Sequence, residues 1–199
     1  GKLVALEEEL GEDYSQSCIG IGHTRWATHG RPSLVNAHPH SDCKQDFAVV
    51  HNGIIENYLE LKDRLIEKGH QFVSETDTEV LAHLVEEFYE GDLEEAVRKG
   101  LGTIQGSYAM LVLSLKDPDK LVAARKDSPM VVGLGDGEFF VASDISAILT
   151  YTRKVYILDD GEMVVVTEEG VRVTDFEGNP RTKEVYDVKW DAVAAEKGG

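Results

Sequence analysis

The sequence predicts an α+β domain. Short apolar runs follow one another from about residue 108, with only polar turns such as Gly135-Asp136-Gly137 between them. The helical patterns lie almost entirely before that point. Helices and strands are therefore grouped rather than alternating, which favours antiparallel sheets over a doubly wound parallel sheet. The chain has 199 residues, of which 42% are hydrophobic, and this suits one domain with a substantial core.

Four main helices are predicted, each from a local signal. Leucine spacing indicates a helix over residues 2–10. Asn57 can cap a helix over residues 58–68, which Gly69 ends. The run Thr76-Asp77-Thr78-Glu79 matches a capping box that opens a helix to about residue 89, and Asp92 opens another to about residue 104.

Strands are predicted from apolar runs bounded by turn residues. Residues 17–25 are expected to form a strand that ends in a polar loop. Residues 47–50 form a short buried strand, after which Asn52-Gly53 turns the chain. Seven more are expected in the second half: 108–115, 121–125, 130–134, 138–142, 155–158, 163–167 and 171–175. Residues 143–149 are a short helix candidate, and residues 26–44 form a loop long enough to suggest function.

The charge limits the partners. Acidic residues number 37 against 20 basic ones, so the formal net charge is −17. Nucleic acid and anionic membrane surfaces are therefore not expected to bind. No apolar run approaches the ~20 residues of a transmembrane helix, and no signal peptide is visible. Two cysteines do not make a disulfide framework. These features together predict a cytoplasmic protein.

Arg25 and Asp77 are the charged candidates for a site. A guanidinium grips a carboxylate through paired hydrogen bonds, and a carboxylate holds an ammonium group. Together the two residues would clamp a zwitterion such as an amino acid. Each also has a structural explanation: Arg25 as a surface ion pair in an acidic protein, and Asp77 as a favourable charge at a helix start.

Asn52 and Gly53 allow two interpretations. Asn-Gly is first of all a turn dipeptide. The functional interpretation is an oxyanion hole, in which the side-chain amide and the backbone N–H donate to one developing negative oxygen. Glycine also lets the backbone approach a ligand closely.

A metal site or another cofactor is not predicted. Four candidate ligands occur within a short span, but their spacing matches no standard zinc pattern: His38, His40, Cys43 and His51. These histidines are expected to form hydrogen bonds within the loop. Cys18 has alternating apolar neighbours and is interpreted as a core residue.

Several ordered motifs resemble the class II glutamine amidotransferase family. They are His-Thr-Arg-Trp-Ala-Thr-His-Gly at 23–30, Asn-Ala-His-Pro-His at 36–40, His-Asn-Gly-Ile-Ile-Glu-Asn at 51–57 and Ser-Glu-Thr-Asp-Thr-Glu at 74–79. Shorter matches occur at 106–109, 142–144 and 190–199, so the resemblance covers essentially the whole chain. Within the family, the glutaminase domains of glutamine–fructose-6-phosphate aminotransferases (isomerising) are the most similar.

The resemblance implies a fold, a reaction and residue roles. The fold is the N-terminal-nucleophile hydrolase type, with two antiparallel sheets between helical layers. Glutamine and water give glutamate and ammonia, and the ammonia is passed on to form glucosamine 6-phosphate. Arg25 would bind the glutamine carboxylate, Asp77 its ammonium, and Asn52 with Gly53 would form the oxyanion hole. Three further residues would lie in the loop that closes over glutamine: Trp26, Thr28 and His29.

The chain departs from the family pattern at its start. The family uses an N-terminal cysteine as nucleophile, whereas residue 1 here is glycine. Residues 1–188 are therefore expected to be a glutaminase domain lacking its N-terminal catalytic segment, and inactive alone. Residues 189–199 would begin a linker to an isomerase domain. The expected partners are glutamine, the missing N-terminal segment, the isomerase domain and a second copy in a homodimer.

Two alternatives stay open. One is the glutaminase domain of another class II enzyme, such as one for purine or glutamate synthesis. The other is a non-catalytic module that binds glutamine or glutamate through Arg25 and Asp77.

Overall fold

The computed structural model describes residues 3–10, 17–25 and 30–189. Its helices are α1 (Leu3–Leu10), α2 (Tyr58–Glu67), α3 (Glu79–Phe88) and α4 (Leu93–Leu101). The strands are β1 (His40–Ser41), β2 (Phe47–Ile55), β3 (Gly106–Ser114), β4 (Leu121–Lys126), β5 (Val131–Leu134), β6 (Phe139–Ala142), β7 (Lys154–Ile157), β8 (Glu162–Thr167), β9 (Gly170–Asp175) and β10 (Tyr186–Asp187). A 3-10 turn covers Ile145–Ala147.

Two antiparallel sheets form the centre of the fold. The larger sheet has the strand order β1-β2-β3-β4-β8-β9, and the smaller has the order β10-β7-β5-β6. The pairing of β2 with β3 extends over nine residues, from Phe47 opposite Ser114 to Ile55 opposite Gly106. The predicted α+β class is confirmed, because every strand pair in both sheets is antiparallel.

Both faces of the larger sheet are buried. Alternate residues of β3, such as Met110 and Val112, pack with helices α2 to α4, while Ala109 and Leu111 face the smaller sheet. Strands buried on both faces read as continuous apolar runs, which is why the sequence shows little alternation here. Burial of one such large side chain contributes about 1.5–3 kcal/mol.

The smaller sheet packs on the larger one through one face. Met130, Val132 and Leu158 lie in the core cluster between the sheets. Val131 and Val155 lie on the other face, where Ile148 and Leu149 cover them next to the 3-10 turn. The order of layers is therefore helices, larger sheet, smaller sheet and the segment that contains the 3-10 turn.

The strand predicted over residues 17–25 is wrong. These residues have no strand geometry and are not part of either sheet. A strand needs a neighbouring backbone to complete its hydrogen bonds, and the alternating pattern of Ile19, Ile21 and His23 gives only a preferred face. Among the described residues no strand pairs with this segment.

The predicted turn at Asn52-Gly53 is also wrong, because both residues lie inside β2. They pair with Ala109 and Tyr108 of β3. Strand β2 is thus five residues longer than the predicted strand over 47–50. An Asn-Gly pair turns a chain only if the flanking segments pair with each other, whereas here β2 continues along β3.

Helix starts were predicted with mixed success. Asp92 caps α4 as predicted, accepting a hydrogen bond from Glu95 N at 3.1 Å. Thr78, the N-cap of α3, makes no side-chain cap bond, so the predicted capping box does not form. The Glu79 carboxylate instead accepts hydrogen bonds from residues earlier in the chain than the predicted box, the backbone N–H groups of Val73 and Ser74, at 2.8 and 2.7 Å.

None of the described helices combines the length and apolar character needed to cross a bilayer.

Candidate active site

One cavity of about 670 Å³ brings together the four predicted site residues that the structure describes. Its wall includes Arg25, Asn52, Gly53 and Asp77. These residues come from three segments that are distant in sequence. Trp26, Thr28 and His29, which the resemblance assigns to a closing loop, lie outside the described residues.

Arg25 is half-buried at the end of the 17–25 segment. Its Nη2 donates a hydrogen bond to the Gly30 carbonyl oxygen at 3.0 Å. A guanidinium is planar, so this bond restricts the direction in which the remaining N–H groups lie. Gly30 has φ +72°, and a Cβ there would come within 2.7 Å of Asn36 Nδ2. Glycine at position 30 therefore allows the close turn that holds Arg25.

Asn36 links this turn to the segment before α3. Its buried side chain accepts a hydrogen bond from Glu75 N at 2.9 Å and donates to Glu75 Oε2 at 3.1 Å. It also donates to the Arg31 carbonyl oxygen at 3.0 Å. A short series of contacts thus connects the arginine side of the cavity to Asp77, which lies two residues after Glu75.

Asp77 directly precedes Thr78, the N-cap of α3. It is only 3% exposed, and its Oδ2 accepts a hydrogen bond from Ile55 N at 2.8 Å. The N-terminal end of a helix favours a negative charge. Position and hydrogen bond together hold this carboxylate at the cavity wall.

Asn52 is oriented by a histidine. His23 Nε2 and Asn52 Oδ1 lie 2.7 Å apart, which makes the imidazole the donor and the amide oxygen the acceptor. The amide nitrogen, with its two hydrogens, is then the part of Asn52 that can donate to a ligand.

Gly53 lies in a conformation that favours glycine, with φ +122°. A Cβ at this position would come within 2.1 Å of the Ser107 carbonyl oxygen on β3. N–H groups alternate between the two edges of a strand. Because His51 N and Ile55 N donate to groups away from β3, the Gly53 N–H between them belongs to the same edge.

Neutral histidines lie around these groups. His38 stacks on His23 with ring centroids 4.3 Å apart, and its Nδ1 accepts from His51 N at 3.4 Å. Burial, aided by the nearby positive charges that His23 and His40 would carry, lowers the pKa of His38 to about 3. Burial also lowers the pKa of His51 to about 4. Both rings are therefore uncharged near pH 7, so they do not cancel the charge of Asp77.

The predicted hydrogen-bond partners of His40 and His51 are corrected by the structure. Both histidines were expected to bond within the loop, but His51 Nδ1 lies 3.0 Å from Thr78 Oγ1, and His40 Nε2 lies 3.0 Å from Thr76 Oγ1. Both contacts reach the segment that carries Asp77. His23 was not singled out either, although it stands two residues before Arg25 in the same motif.

Neither cysteine of the chain lines the cavity. Cys18 is exposed, which corrects its interpretation as a core residue. Cys43 contacts His70 and His83, not His38, His40 or His51. The described cavity therefore offers a cation, an anion and amide donors, but no thiol.

The comparison with protein families agrees with this lining. A family described as "Glutamine amidotransferase domain" matches residues 24–150, which is more than half of the chain. The matched region contains all four residues that the cavity brings together.

Curated relatives are similar over the whole chain. The glutamine–fructose-6-phosphate aminotransferase (isomerizing) of Clostridium tetani is 56% identical over 199 residues, and so is that of Thermus thermophilus. In each case the match covers all of this chain and 33% of the relative. The chain thus spans about a third of the length of the curated relatives it matches.

Solved structures share the fold. The glutamine phosphoribosylpyrophosphate amidotransferase of B. subtilis, complexed with ADP and GMP, superimposes with a TM-score of 0.66 at 27% identity, covering 79% of this chain and 35% of that one. An allosteric regulatory enzyme of purine biosynthesis gives 0.64 at 27% identity, covering 74% and 33%. The fold is the N-terminal-nucleophile hydrolase type expected from the motifs. With the family match and the two stacked antiparallel sheets, the chain belongs to the glutamine amidotransferase domain family.

Proposed function

We propose that the cavity binds L-glutamine and prepares its side-chain amide for hydrolysis to glutamate and ammonia. One observation supports this most directly: Arg25, Asp77 and the amide of Asn52 border a single cavity. Free glutamine carries a carboxylate and an ammonium on one carbon and a neutral amide at its other end. The cavity wall offers a group of matching chemistry for each of the three.

Arg25 is proposed to bind the α-carboxylate. A guanidinium carries five N–H donors in a fixed plane, so the bond from Nη2 to Gly30 is compatible with a paired contact to two carboxylate oxygens. Lysine would supply the charge without this geometry.

Asp77 is proposed to bind the α-ammonium. An ionised carboxylate has about four acceptor positions, so accepting from Ile55 N leaves its role toward a cation intact. The carboxylate is buried, and a charge contact is stronger where water is excluded. The uncharged rings of His38 and His51 support the same role, since an imidazolium there would compete with the ligand.

Asn52 and Gly53 are proposed to stabilise the transition state. When a nucleophile attacks the amide carbon, negative charge develops on the carbonyl oxygen. The Asn52 amide nitrogen and the Gly53 N–H would donate to that oxygen. One such donor typically contributes about 2.7–4 kcal/mol to the transition state. His23 would keep the amide nitrogen correctly oriented before the substrate arrives.

The names of the relatives indicate the compound that receives the ammonia. The relatives are named as aminotransferases that act on glutamine and fructose 6-phosphate. We extend this role to the present chain as the domain that supplies ammonia. An isomerase domain would add that ammonia to fructose 6-phosphate, giving glucosamine 6-phosphate. The cytoplasmic location expected from the composition and the homodimer expected from the resemblance are part of this proposal.

Calorimetry with two incomplete ligands tests the binding roles. Glutaramate lacks the α-ammonium, and 4-aminobutanamide lacks the α-carboxylate. If the roles are right, Asp77→Asn weakens binding of L-glutamine but not of glutaramate, and Arg25→Lys weakens L-glutamine but not 4-aminobutanamide. A variant that weakens all three ligands equally, or none of them, contradicts its assigned role.

A non-catalytic binding module is the second candidate, because neither cysteine lines the cavity. The two candidates differ in what Asn52 does. In a binding module the amide donors act on the resting ligand, so Asn52→Ala should weaken glutamine binding as much as Asp77→Asn does. In an amidotransferase they act mainly on the transition state, and Asn52→Ala should change glutamine affinity by less than about threefold.

A further inference from the structure

A second group of reactive side chains lies apart from the glutamine cavity. It consists of Cys43, His70, His83 and Glu86, which we call the Cys43 cluster. One ligand atom from each lies within 4.8 Å of all the others. Cys43 follows β1, His70 follows α2, and His83 and Glu86 lie three residues apart on α3. We propose that the Cys43 cluster binds one Zn²⁺ ion.

The distances between the ligand atoms suit a tetrahedral ion. Zinc binds sulfur at about 2.3 Å and nitrogen or oxygen at about 2.0–2.2 Å, so neighbouring ligand atoms lie roughly 3.3–3.6 Å apart. Cys43 Sγ is 3.6 Å from His83 Nδ1, which is 3.5 Å from Glu86 Oε2. Cys43 Sγ is 3.9 Å from His70 Nδ1, which is 2.9 Å from Glu86 Oε2. All four ligand atoms lie within 4.8 Å of one another, so binding an ion would draw the set closer together.

Each imidazole has a carboxylate near its Nε2 atom, the ring nitrogen that faces away from Cys43. His70 Nε2 lies 3.2 Å from Glu87 Oε2. His83 Nε2 is buried without a hydrogen-bond partner among the described residues, and Glu79 Oε1 lies 3.6 Å from it. A carboxylate that accepts from the far nitrogen of a histidine fixes the tautomer whose near nitrogen binds metal. In His70 this near nitrogen is Nδ1. His83 is oriented in the same way, since the Nδ1 atoms of both rings face Cys43.

The chemistry of the set favours zinc over a hard cation. Thiolate and imidazole ligands suit Zn²⁺, whereas Mg²⁺ and Ca²⁺ prefer oxygen. Binding removes the proton of the Cys43 thiol, so one thiolate, one carboxylate and two neutral imidazoles balance the charge of the ion. The side chain of His83 is fully buried, whereas Cys43 is exposed, which gives the ion a route inward.

Four protein ligands indicate a structural rather than a catalytic ion. The ion would join the loop after β1, the end of α2 and the middle of α3. Helix α3 begins directly after Asp77 and Thr78, which line the glutamine cavity. Zinc would thus stabilise the helix that directly follows the proposed ammonium ligand, without touching the cavity.

Cobalt titration of the metal-free 199-residue chain tests the proposal without any variant. We expect one Co²⁺ per chain, with the strong visible bands of a tetrahedral ion and a thiolate-to-metal charge-transfer band. Zn²⁺ should abolish these bands at one equivalent, and Mg²⁺ should leave them unchanged. If Co²⁺ adds no charge-transfer band to the folded chain, the proposal is wrong.

Variants then assign the ligands. Cys43→Ser should remove the charge-transfer band, and the matched control Cys18→Ser should keep it. Glu87→Gln changes a group that contacts His70 and Lys68 but is not itself a proposed ligand. It should keep the band and weaken zinc binding by about 10–100-fold. Zinc should raise the melting temperature of the wild type and of Cys18→Ser, but not of Cys43→Ser. Circular dichroism checks the folding of each variant. A band that survives Cys43→Ser, or disappears in folded Cys18→Ser, overturns the assignment.

Discussion

Asp77 Oδ2 accepts a hydrogen bond from the Ile55 backbone N–H at 2.8 Å, joining the start of α3 to the end of β2. Asp77 is 3% exposed and Ile55 is fully buried. A buried N–H without an acceptor is costly, so this carboxylate has a structural role whatever ligand it binds. The proposed contact with glutamine adds a second role to the same side chain.

Two substitutions of Asp77 should separate these roles. Asp77→Asn keeps an oxygen that accepts from Ile55 N but removes the charge, so glutamine affinity should fall about 10–100-fold with a loss of stability below about 1 kcal/mol. Asp77→Ala should also destabilise the fold by about 1–3 kcal/mol, because Ile55 N loses its acceptor. Calorimetry and urea unfolding measure the two effects. Equal losses of stability in both variants would show that the charge, not the acceptor, supports the fold.

Gly53 should be more sensitive to substitution than a glycine whose φ is also positive but whose added Cβ would meet open space. Gly53→Ala places a Cβ 2.1 Å from the Ser107 carbonyl oxygen, so β2 and β3 must move apart. We expect a loss of at least about 3 kcal/mol on unfolding in urea. Gly91→Ala is the matched control, since Gly91 has φ +104° and no atom within 4 Å of the added Cβ. It should cost only about 1–2 kcal/mol. Similar losses at both positions would mean that φ alone matters.

Acid should destabilise the fold through its buried histidines. His51 is neutral and buried, and its pKa of about 4 lies below the unfolded value of 6.5. Between these values the unfolded chain binds a proton that the folded chain does not. Stability is therefore lost as the pH falls through this range. The nearby charge of Asp77 opposes the shift, and the positive charges that His23 and His40 would carry reinforce it.

Urea unfolding of wild type and His51→Gln at about pH 7 and about pH 5 measures this contribution. The stability difference between the two proteins should shrink by about 1–2 kcal/mol at the lower pH, since glutamine at position 51 binds no proton. A difference that stays constant with pH would mean that His51 is not buried in its neutral form.

The chain should bind glutamine without hydrolysing it at an enzymatic rate. The cavity holds the proposed binding and oxyanion groups, but neither Cys18 nor Cys43 lines it. Ammonia release from glutamine, followed alongside calorimetry, checks this. Binding with no turnover above that of Asn52→Ala is the expected result. Rapid turnover that disappears in Asn52→Ala would show that another group serves as nucleophile.

Local signals predicted much of the fold. The Asp92 cap, the end of α2 before Gly69 and the turns between the later strands all act within a few residues, and the structure confirms them. It was harder to predict from the sequence which segments pair with each other as strands. The 17–25 segment has the alternating pattern of a strand but pairs with no described strand. Asn52-Gly53 has the composition of a turn but lies inside β2. The two-residue strands β1 and β10 were missed, since each depends on its partner.

The sequence did not reveal the Cys43 cluster, because its members lie far apart along the chain. Cys43 was grouped with the histidines nearest in sequence, and no metal site was predicted. Its contacts in space are instead with His70 and His83, which follow 27 and 40 residues later. The packing of both α2 and β1 against α3 brings these side chains together, so no local motif marks the cluster.

By itself, the sequence determined the α+β class, the core pattern and the chemical identity of the glutamine-site candidates, because these depend on side-chain type and short-range spacing. The tertiary structure decided that Arg25, Asn52, Gly53 and Asp77 border one cavity and that His38 and His51 beside it are uncharged. It also decided that Cys43 lies with His70, His83 and Glu86. Such relationships arise from contacts between distant segments, and burial, pKa and ligand geometry exist only once the chain has packed.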